Sequence, residues 1–249
     1  GIKLSVQRAT ADSIKHLPAS DRLPIYAYLR LLAPGILQGV NRFLYLDSDL
    51  LARSSVLPLY DLVGGNAVAA AARDYYYDVL ESGLKQTFAE LGVGKNEPYF
   101  NSGVMMVDAD AWRNWEVSEQ AMAYLNNHAS TVMHGDQDAL NAVLAGQLKE
   151  MDLSWNVQLG AFEYFERVGW PIERESLRMR KAELLNAPKI VHFIGPSKPW
   201  SDGFTIPFGK EYRRMIADSG WVAPHLIIPW RIGWLVSTLR ATIKRRLGK

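Results

Sequence analysis

The stretch RFLYLDSDLL, residues 42–51, constrains the fold of this chain more than any other part of the sequence. Its continuous apolar run from Phe43 to Leu46 is typical of a strand covered on both faces, as in parallel sheets. Asp47 and Asp49 follow at once, and side chains at positions i and i+2 of an extended segment project to the same side. The two carboxylates therefore either converge on a divalent cation or belong to a loop in which Ser48 or Asp49 caps the next turn.

Further short apolar segments alternate with helical patterns along the chain. Strand patterns at residues 67–72, 104–107 and 190–194 are separated by helical patterns such as those at 118–126 and 136–144. This alternation predicts an α/β fold with a mostly parallel sheet flanked by helices. A chain of 249 residues can build one sizeable core, which we assign to residues 1–218.

The composition argues against several classes of protein. A net charge of +2 is too small to indicate a nucleic-acid binder. The sequence has no cysteine, which excludes disulfides and thiolate metal sites. Neither a signal peptide at the N-terminus, GIKLSVQRAT, nor a transmembrane run of about 18 apolar residues is predicted. We therefore expect a cytoplasmic protein.

Residues 219–249 form a basic and aromatic segment that contains no acidic residue. Its basic and tryptophan residues are Arg231, Arg240, Lys244, Arg245, Arg246, Lys249, Trp221, Trp230 and Trp234. This composition is typical of a segment that lies on an anionic membrane surface, although an ordinary terminal helix with a solvated basic end has a similar one. We expect this segment to hold the protein peripherally at the inner face of the membrane.

Several polar side chains lie where an apolar strand ends or a helix begins. Asp74 follows AVAAAAR, Asn101 and Ser102 precede GVMMV, and Asp136 and Gln137 begin the helical pattern DQDALN. Each has a structural interpretation, since acids in a first helical turn favour the helix dipole and asparagine is a common turn residue. The same positions would also suit a binding site at the strand ends.

His192 interrupts an apolar strand in VHFIGPSKPW. Such a histidine is either a hydrogen-bonded core residue or a metal ligand. Gly195 lets the backbone approach a ligand closely, and Lys198 is a point charge suited to phosphate. With Asp47, Asp49 and phosphate oxygens, His192 would complete an octahedral site for Mn²⁺ or Mg²⁺, and the imidazole favours Mn²⁺.

Together these stretches resemble glycosyltransferase family 8, in particular its bacterial lipopolysaccharide galactosyl- and glucosyltransferases. The motifs that carry the resemblance are YLDSDLL, YFNSGVMMVD, GDQDALN, LSWN and HFIGPSKPW, within residues 22–203. The resemblance implies the GT-A fold and a retaining transfer of galactose or glucose from a UDP-sugar. It also implies a saccharide or lipid-linked saccharide acceptor in cell-surface glycan synthesis, and no nucleic-acid partner.

The resemblance also assigns roles to individual residues. The metal ligands it implies are Asp47, Asp49 and His192. The donor-binding residues it implies are Arg30, Asp47, Ser48, Asp49, Asn101, Gly195 and Lys198. The residues it places around the transferred sugar and the acceptor, which we take as the catalytic group, are Gln137, Asp136 and Asp74.

One departure from the family pattern lies ahead of Asp47. The family carries about 50 or more residues before this point, and they include a strand and a segment that bind the nucleotide base. We therefore expect the first βα unit to be missing here, and an inactive membrane-surface partner protein remains the alternative function. A haloacid-dehalogenase-like phosphatase is disfavoured, because Leu51 stands where that class has a threonine.

Overall fold

The computed structural model describes residues 5–6, 10–19, 25–65, 67–76, 97–201 and 206–221. The strands in these ranges are β1 Arg42–Leu46, β2 Leu50–Ala52, β3 Ala69–Arg73, β4 Phe100–Asp108, β5 Leu148–Met151, β6 Val157–Gln158 and β7 Ile190–His192. The α-helices are α1 Leu29–Ile36, α2 Ala109–Asn114, α3 Val117–Asn127, α4 Asp136–Val143, α5 Leu159–Val168, α6 Glu175–Asn186 and α7 Gly209–Ser219. Short 3₁₀ helices lie at Ala11–Ser13, Ile25–Tyr28, Leu57–Leu62, Leu153–Trp155 and Ile172–Arg174.

The described strands form two sheets. The first has the order β1-β4-β3-β5, and the second has the order β2-β7-β6. Strand β4 is antiparallel to both of its neighbours, β1 and β3, whereas β5 runs parallel to β3. In the second sheet β2 is antiparallel to β7, and β6 is parallel to it.

Alternating side chains of β3 and β4 build the core on both faces of the first sheet, as the two-residue period of a strand requires. Met105 and Val107 of β4 pack with α2, α3 and α4 in one cluster of buried residues. Val104 and Met106 point into a second cluster, which includes Trp155. A third cluster, formed around the second sheet, packs its strands against α5, α6 and α7.

The α/β class is confirmed, but the expected predominance of parallel pairing is not found among the described strands. Three of the five strand pairs are antiparallel. A continuous apolar run reports burial of both faces, and a central antiparallel strand between two layers meets that condition as well as a parallel one. The run of residues 100–107 in β4, all of them buried, is such a strand.

Strand β1 also differs from the expectation in part. Phe43 and Tyr45 contact one core cluster and Leu44 contacts another, so both faces of the strand are apolar. The strand is nevertheless only half-buried, because it lies at the edge of the described part of its sheet. Its apolar sequence therefore reflects contacts on both faces of the strand, although neither face is fully shielded from solvent.

The membrane-associating segment predicted at residues 219–249 lies outside the described residues from position 222 onward. The division into residues 1–218 and 219–249 thus stays a prediction. Among the residues that the structure describes, no helix is both long and apolar enough to cross a membrane.

Candidate functional site

Backbone pairing brings Asp47, Asp49 and His192 together at the junction of the two sheets. The Asp47 N–H donates to Gly103 O at 2.8 Å, which continues the β1–β4 ladder beyond the end of β1. The register of β2 and β7 places Leu50 opposite His192, and the Phe193 N–H donates to Asp49 O at 3.0 Å. The two aspartates are therefore held by different sheets, with the histidine beside them.

The three side chains have the geometry of a metal-ligand set. One donor atom from each of Asp47, Asp49 and His192 lies within 4.8 Å of the others. His192 Nε2 is 3.3 Å from Asp49 Oδ1 and 3.8 Å from Asp47 Oδ2. Ligand atoms on adjacent positions of an octahedral ion at ~2.1 Å stand about 3 Å apart, so this spacing fits Mg²⁺ or Mn²⁺.

Gly103 of β4 lies directly against the side chains of His192 and Asp47. A Cβ atom at this position would collide with the His192 ring and would stand 2.8 Å from Asp47 Oδ2. The backbone conformation of Gly103 is ordinary, so it is the close approach of the two ligands that requires glycine here.

Lys198 lies on the opposite side of Asp49 from His192. Its Nζ donates to Asp49 Oδ2 at 2.6 Å and to Phe193 O at 2.8 Å. Burial alone would raise the pKa of Asp49, but the neighbouring His192 ring and the Lys198 ammonium outweigh it and lower this pKa to about 2. Asp49 is thus ionised throughout the ordinary pH range. The turn before Lys198 passes through Gly195, whose φ is +89°.

Helix α7 packs against the turn that contains Lys198. The Arg213 guanidinium is buried and donates to Pro199 O at 2.9 Å. The Tyr212 ring lies 6.0 Å from the ring of Trp200 and 5.5 Å from that of Phe193. Lys198 is therefore positioned by packing on both sides of its loop.

Arg30 of α1 links the metal-ligand set to α4. Its guanidinium donates to Asp47 Oδ1 at 3.0 Å and to Ser102 Oγ and O at 2.9 Å each. Its Nε lies 2.5 Å from Asp136 Oδ2, in an ion pair that is not aligned as a hydrogen bond. Burial raises the pKa of Asp136 to about 6, although the Arg30 charge opposes this shift. The Tyr45 ring lies 4.5 Å below the guanidinium.

Asp74, Asn101 and Gln137 form a hydrogen-bonded group next to Ser102. Asp74 Oδ2 accepts from Asn101 Nδ2 at 3.0 Å and from Gln137 Nε2 at 3.2 Å. Gln137 Oε1 accepts from the Ser102 N–H at 3.0 Å. Three of the residues predicted from separate motifs thus meet in one network.

In the run Asp136-Gln137-Asp138, one residue has a structural role and the other two face the site, so both interpretations of the sequence hold. Asp138 is fully buried and has a structural role: one oxygen accepts from Tyr99 Oη at 2.5 Å, and the other accepts from the N–H groups of Met133 and His134 at 2.8 Å. Gln137 faces the Asp74 group instead, and Asp136 faces Arg30. Asn101 and Ser102, expected before the strand, lie inside β4.

A cleft of about 520 Å³ opens over the predicted donor site. Its lining residues are Tyr26, Ala27, Arg30, Tyr45, Leu46, Asp47, Ser48, Asp49, Lys198 and Trp200. Carboxylates and cations thus share one cleft with aromatic rings, a combination that suits an anionic, sugar-bearing ligand with a metal ion.

Two residues of this site were not predicted individually. Gly103 lies within the motif YFNSGVMMVD, and Asn156 lies within LSWN. Asn156 is fully buried, and its Oδ1 lies 2.9 Å from His192 Nδ1. A buried asparagine after a tryptophan has no signal of its own, so only its place in the fold identifies it.

Comparison with known proteins adds a family and a fold. The family model described as Glycosyl transferase family 8 matches residues 2–203. General stress protein A of Bacillus subtilis is 28% identical over 226 residues, which cover 89% of this chain and 75% of that protein. Lipopolysaccharide 1,3-galactosyltransferase of Salmonella typhimurium is 26% identical over 223 residues, 88% of this chain but 62% of that protein. The chain thus spans less than two thirds of the second relative.

A solved structure of the galactosyltransferase LgtC, in complex with donor and acceptor sugar analogues, is similar with a TM-score of 0.71 and 23% identity. The match covers 90% of this chain and 76% of LgtC. This likeness confirms the expected GT-A fold.

Proposed function

This chain belongs to glycosyl transferase family 8, and we propose that it moves a galactose or glucose unit from a UDP-sugar to a saccharide acceptor, with retention of configuration. The observation that carries the proposal is the convergence of Asp47, Asp49 and His192 within 4.8 Å. Lys198 adds a cation 2.6 Å from Asp49. A site of this kind suits the diphosphate of a nucleotide sugar, which needs both a divalent metal and fixed positive charge.

The residues present fit a hard divalent cation. Two carboxylates and one imidazole would hold it, and Mn²⁺ is the ion we propose, with Mg²⁺ as the alternative. When bound, the ion supplies Lewis-acid stabilisation of the charge that develops on the leaving diphosphate.

Lys198 and Arg30 would supply the rest of the positive charge around the leaving group. An ammonium has three donors, and among the described residues Asp49 and Phe193 O accept from two of them, which leaves a third for a phosphate oxygen. Arg30 is fixed by Asp47, Ser102 and Asp136 and lines the same cleft. Both cations are therefore positioned before the donor arrives, which limits the cost of reorganisation during transfer.

Retention requires either a nucleophile beneath the anomeric carbon or attack from the side of the leaving group. Gln137 is an unsuitable nucleophile, since an amide is weakly nucleophilic and both of its ends are hydrogen-bonded, to Ser102 and to Asp74. We therefore favour same-face transfer. The acceptor oxygen bonds to the anomeric carbon as the bond to the phosphate oxygen breaks, and the departing phosphate takes the acceptor proton. Asp74 and Asn101 would orient sugar hydroxyls, and Asp136 would act through Arg30.

The acceptor and the location extend this proposal. Several relatives are lipopolysaccharide glycosyltransferases, which supports a lipid-linked or lipopolysaccharide saccharide as acceptor. The basic and aromatic composition of residues 219–249 supports attachment to an anionic membrane surface. On this proposal the protein acts at the cytoplasmic face of the membrane.

UDP release from UDP-glucose and UDP-galactose tests the proposed function. We expect release with Mn²⁺, loss of release with EDTA, and loss of at least about 10²-fold in Asp49→Asn. Asp110→Asn is the matched control, because Asp110 is an exposed residue of α2, at the far end of β4 from the site. If the wild-type chain neither releases UDP nor binds it in a Mn²⁺-dependent way, the inactive surface protein becomes the better interpretation.

A further inference from the structure

A line of buried side chains connects His192 to the group around Asp74. His192 Nδ1 lies 2.9 Å from Asn156 Oδ1, and Asn156 Nδ2 donates to Asn101 Oδ1 at 2.9 Å. Asn101 Nδ2 in turn donates to Asp74 Oδ2 at 3.0 Å. The exposed fraction is 0% for Asn156, 3% for His192 and 7% for Asn101. Water therefore has little access to replace any of these hydrogen bonds.

The direction of every hydrogen bond in this line is fixed by one backbone group. The Gly103 N–H donates to Asn101 Oδ1 at 3.1 Å, and a backbone N–H can only donate. The atom it meets is therefore the carbonyl oxygen of Asn101, and the Asn156 group that faces this oxygen must be the NH₂. Asn156 then turns its own carbonyl oxygen toward His192. Since a carbonyl oxygen only accepts, His192 Nδ1 carries a proton.

The opposite nitrogen of the ring faces the two carboxylates. With Nδ1 protonated and bonded to Asn156, the nitrogen left to bind a cation is Nε2, at 3.3 Å from Asp49 Oδ1 and 3.8 Å from Asp47 Oδ2. Ring nitrogens that ligate metals depend in this way on the partner of the other nitrogen, which sets tautomer and orientation.

We infer that Asn156 is a positioning residue that holds His192 as an Nε2 ligand and couples it, through Asn101, to Asp74 on the sugar side of the site. This inference rests on the proposed function and deepens it. Metal binding and sugar binding then share one rigid hydrogen-bonded line, in which Asn156 is the link that touches neither the metal nor the sugar.

Two substitutions of Asn156 separate its two hydrogen bonds. Asn156→Leu removes both, and we expect Mn²⁺ affinity to fall about 10- to 100-fold, as measured by the electron paramagnetic resonance signal of free Mn²⁺. Asn156→Asp still accepts from His192 Nδ1 but no longer donates to Asn101. We expect this variant to keep Mn²⁺ affinity within about threefold of wild type while kcat for UDP-sugar turnover falls at least about tenfold.

Asn141→Asp is the matched control for the same chemical change at a buried amide. The described hydrogen bonds of Asn141 go to the backbone of Phe100 and of Gln137, and none of them reaches His192. The Asn141→Asp substitution should lower the midpoint temperature of thermal unfolding without changing Mn²⁺ affinity. A fall in affinity that merely follows lost stability would then appear in this variant too.

The tautomer itself is measurable without any turnover. In the ¹⁵N-labelled wild-type chain, the imidazole signals of His192 should show a proton on Nδ1 both without metal and with Mg²⁺, and a bare Nε2 with Mg²⁺. A protonated Nε2 with a bare Nδ1, or unchanged Mn²⁺ affinity in a folded Asn156→Leu, would overturn the inference. A wild-type chain with the expected tautomer but no Mn²⁺ binding would instead overturn the metal-dependent function.

Discussion

Arg30 Nε lies 2.5 Å from Asp136 Oδ2, and the side chains of both residues are almost fully buried. The same guanidinium reaches Asp47, so α1 and α4 meet the metal-ligand set through one side chain. Burial holds the pKa of Asp136 at about 6, well above that of an exposed aspartate. Protonation of one carboxyl group therefore changes the charge balance around Arg30 at mildly acidic pH.

This raised pKa predicts a pH-dependent stability. Because folded Asp136 keeps its proton to a higher pH than the unfolded chain does, its contribution is fully present below about pH 4 and is lost as the pH rises through about 6. The loss is on the order of 3 kcal/mol. Urea unfolding between these pH values should show a flatter profile for Asp136→Asn than for wild type. Parallel profiles for the two proteins would rule out this role.

Gly103→Ala should damage the metal site without unfolding the protein. The added methyl group would displace the His192 ring and would crowd Asp47 Oδ2. We expect Mn²⁺ affinity to fall at least about tenfold in a direct titration. Gly35→Ala is the control, since its added Cβ meets no atom within 4 Å and it lies in helix α1. Unchanged affinity in Gly103→Ala would mean that the ligands can move aside.

Lys198→Met should impair transfer more than metal binding. It removes the ammonium proposed to contact the diphosphate but leaves all three metal-ligand side chains in place. We expect kcat/KM for the UDP-sugar to fall about 10²-fold, as is typical when one donor to developing charge is removed. Lys210→Met, at an exposed lysine of α7, should retain full activity. If the two variants behave alike, Lys198 has no role in donor binding.

Removal of residues 222–249 should separate membrane association from chemistry. The six basic residues of this segment would each contribute about 1 kcal/mol near an anionic surface. The shortened chain should lose co-sedimentation with vesicles that contain phosphatidylglycerol, and it should still release UDP from the donor. Full-length protein should lose the same association at high salt. Vesicle binding that survives truncation would place the membrane contact elsewhere.

The proximity of Asp47 and Asp49 and the α/β class were predictable from sequence, because both depend on local patterns. Asp47 and Asp49 lie in the short turn between β1 and β2, and the apolar run before them forms β1. The direction of strand pairing was not predictable from such runs, since burial of two faces is common to parallel and antiparallel central strands. Whether β1 lies at an edge likewise depends on its neighbours and not on its own residues.

Roles set by long-range contacts were the hardest to predict. The acids Asp136 and Asp138 are two positions apart and both are buried, yet one faces Arg30 and the other holds the preceding loop. Asn156 became identifiable only when β6 and β7 placed it beside His192. Arg30 and His192, the partners of Asp136 and Asn156, lie far away in sequence, where no periodic pattern reports them.

The site spans two sheets that have none of the described strands in common. Asp47 extends from the first sheet, whereas Asp49 and His192 belong to the second. A divalent ion held by all three would act as a cross-link between the halves of the molecule, and its binding energy would add to the cohesion of the fold. At a hundred times its dissociation constant, such an ion would raise the free energy of unfolding by about 2.7 kcal/mol. The melting temperature of this protein would then rise with the concentration of free metal ion.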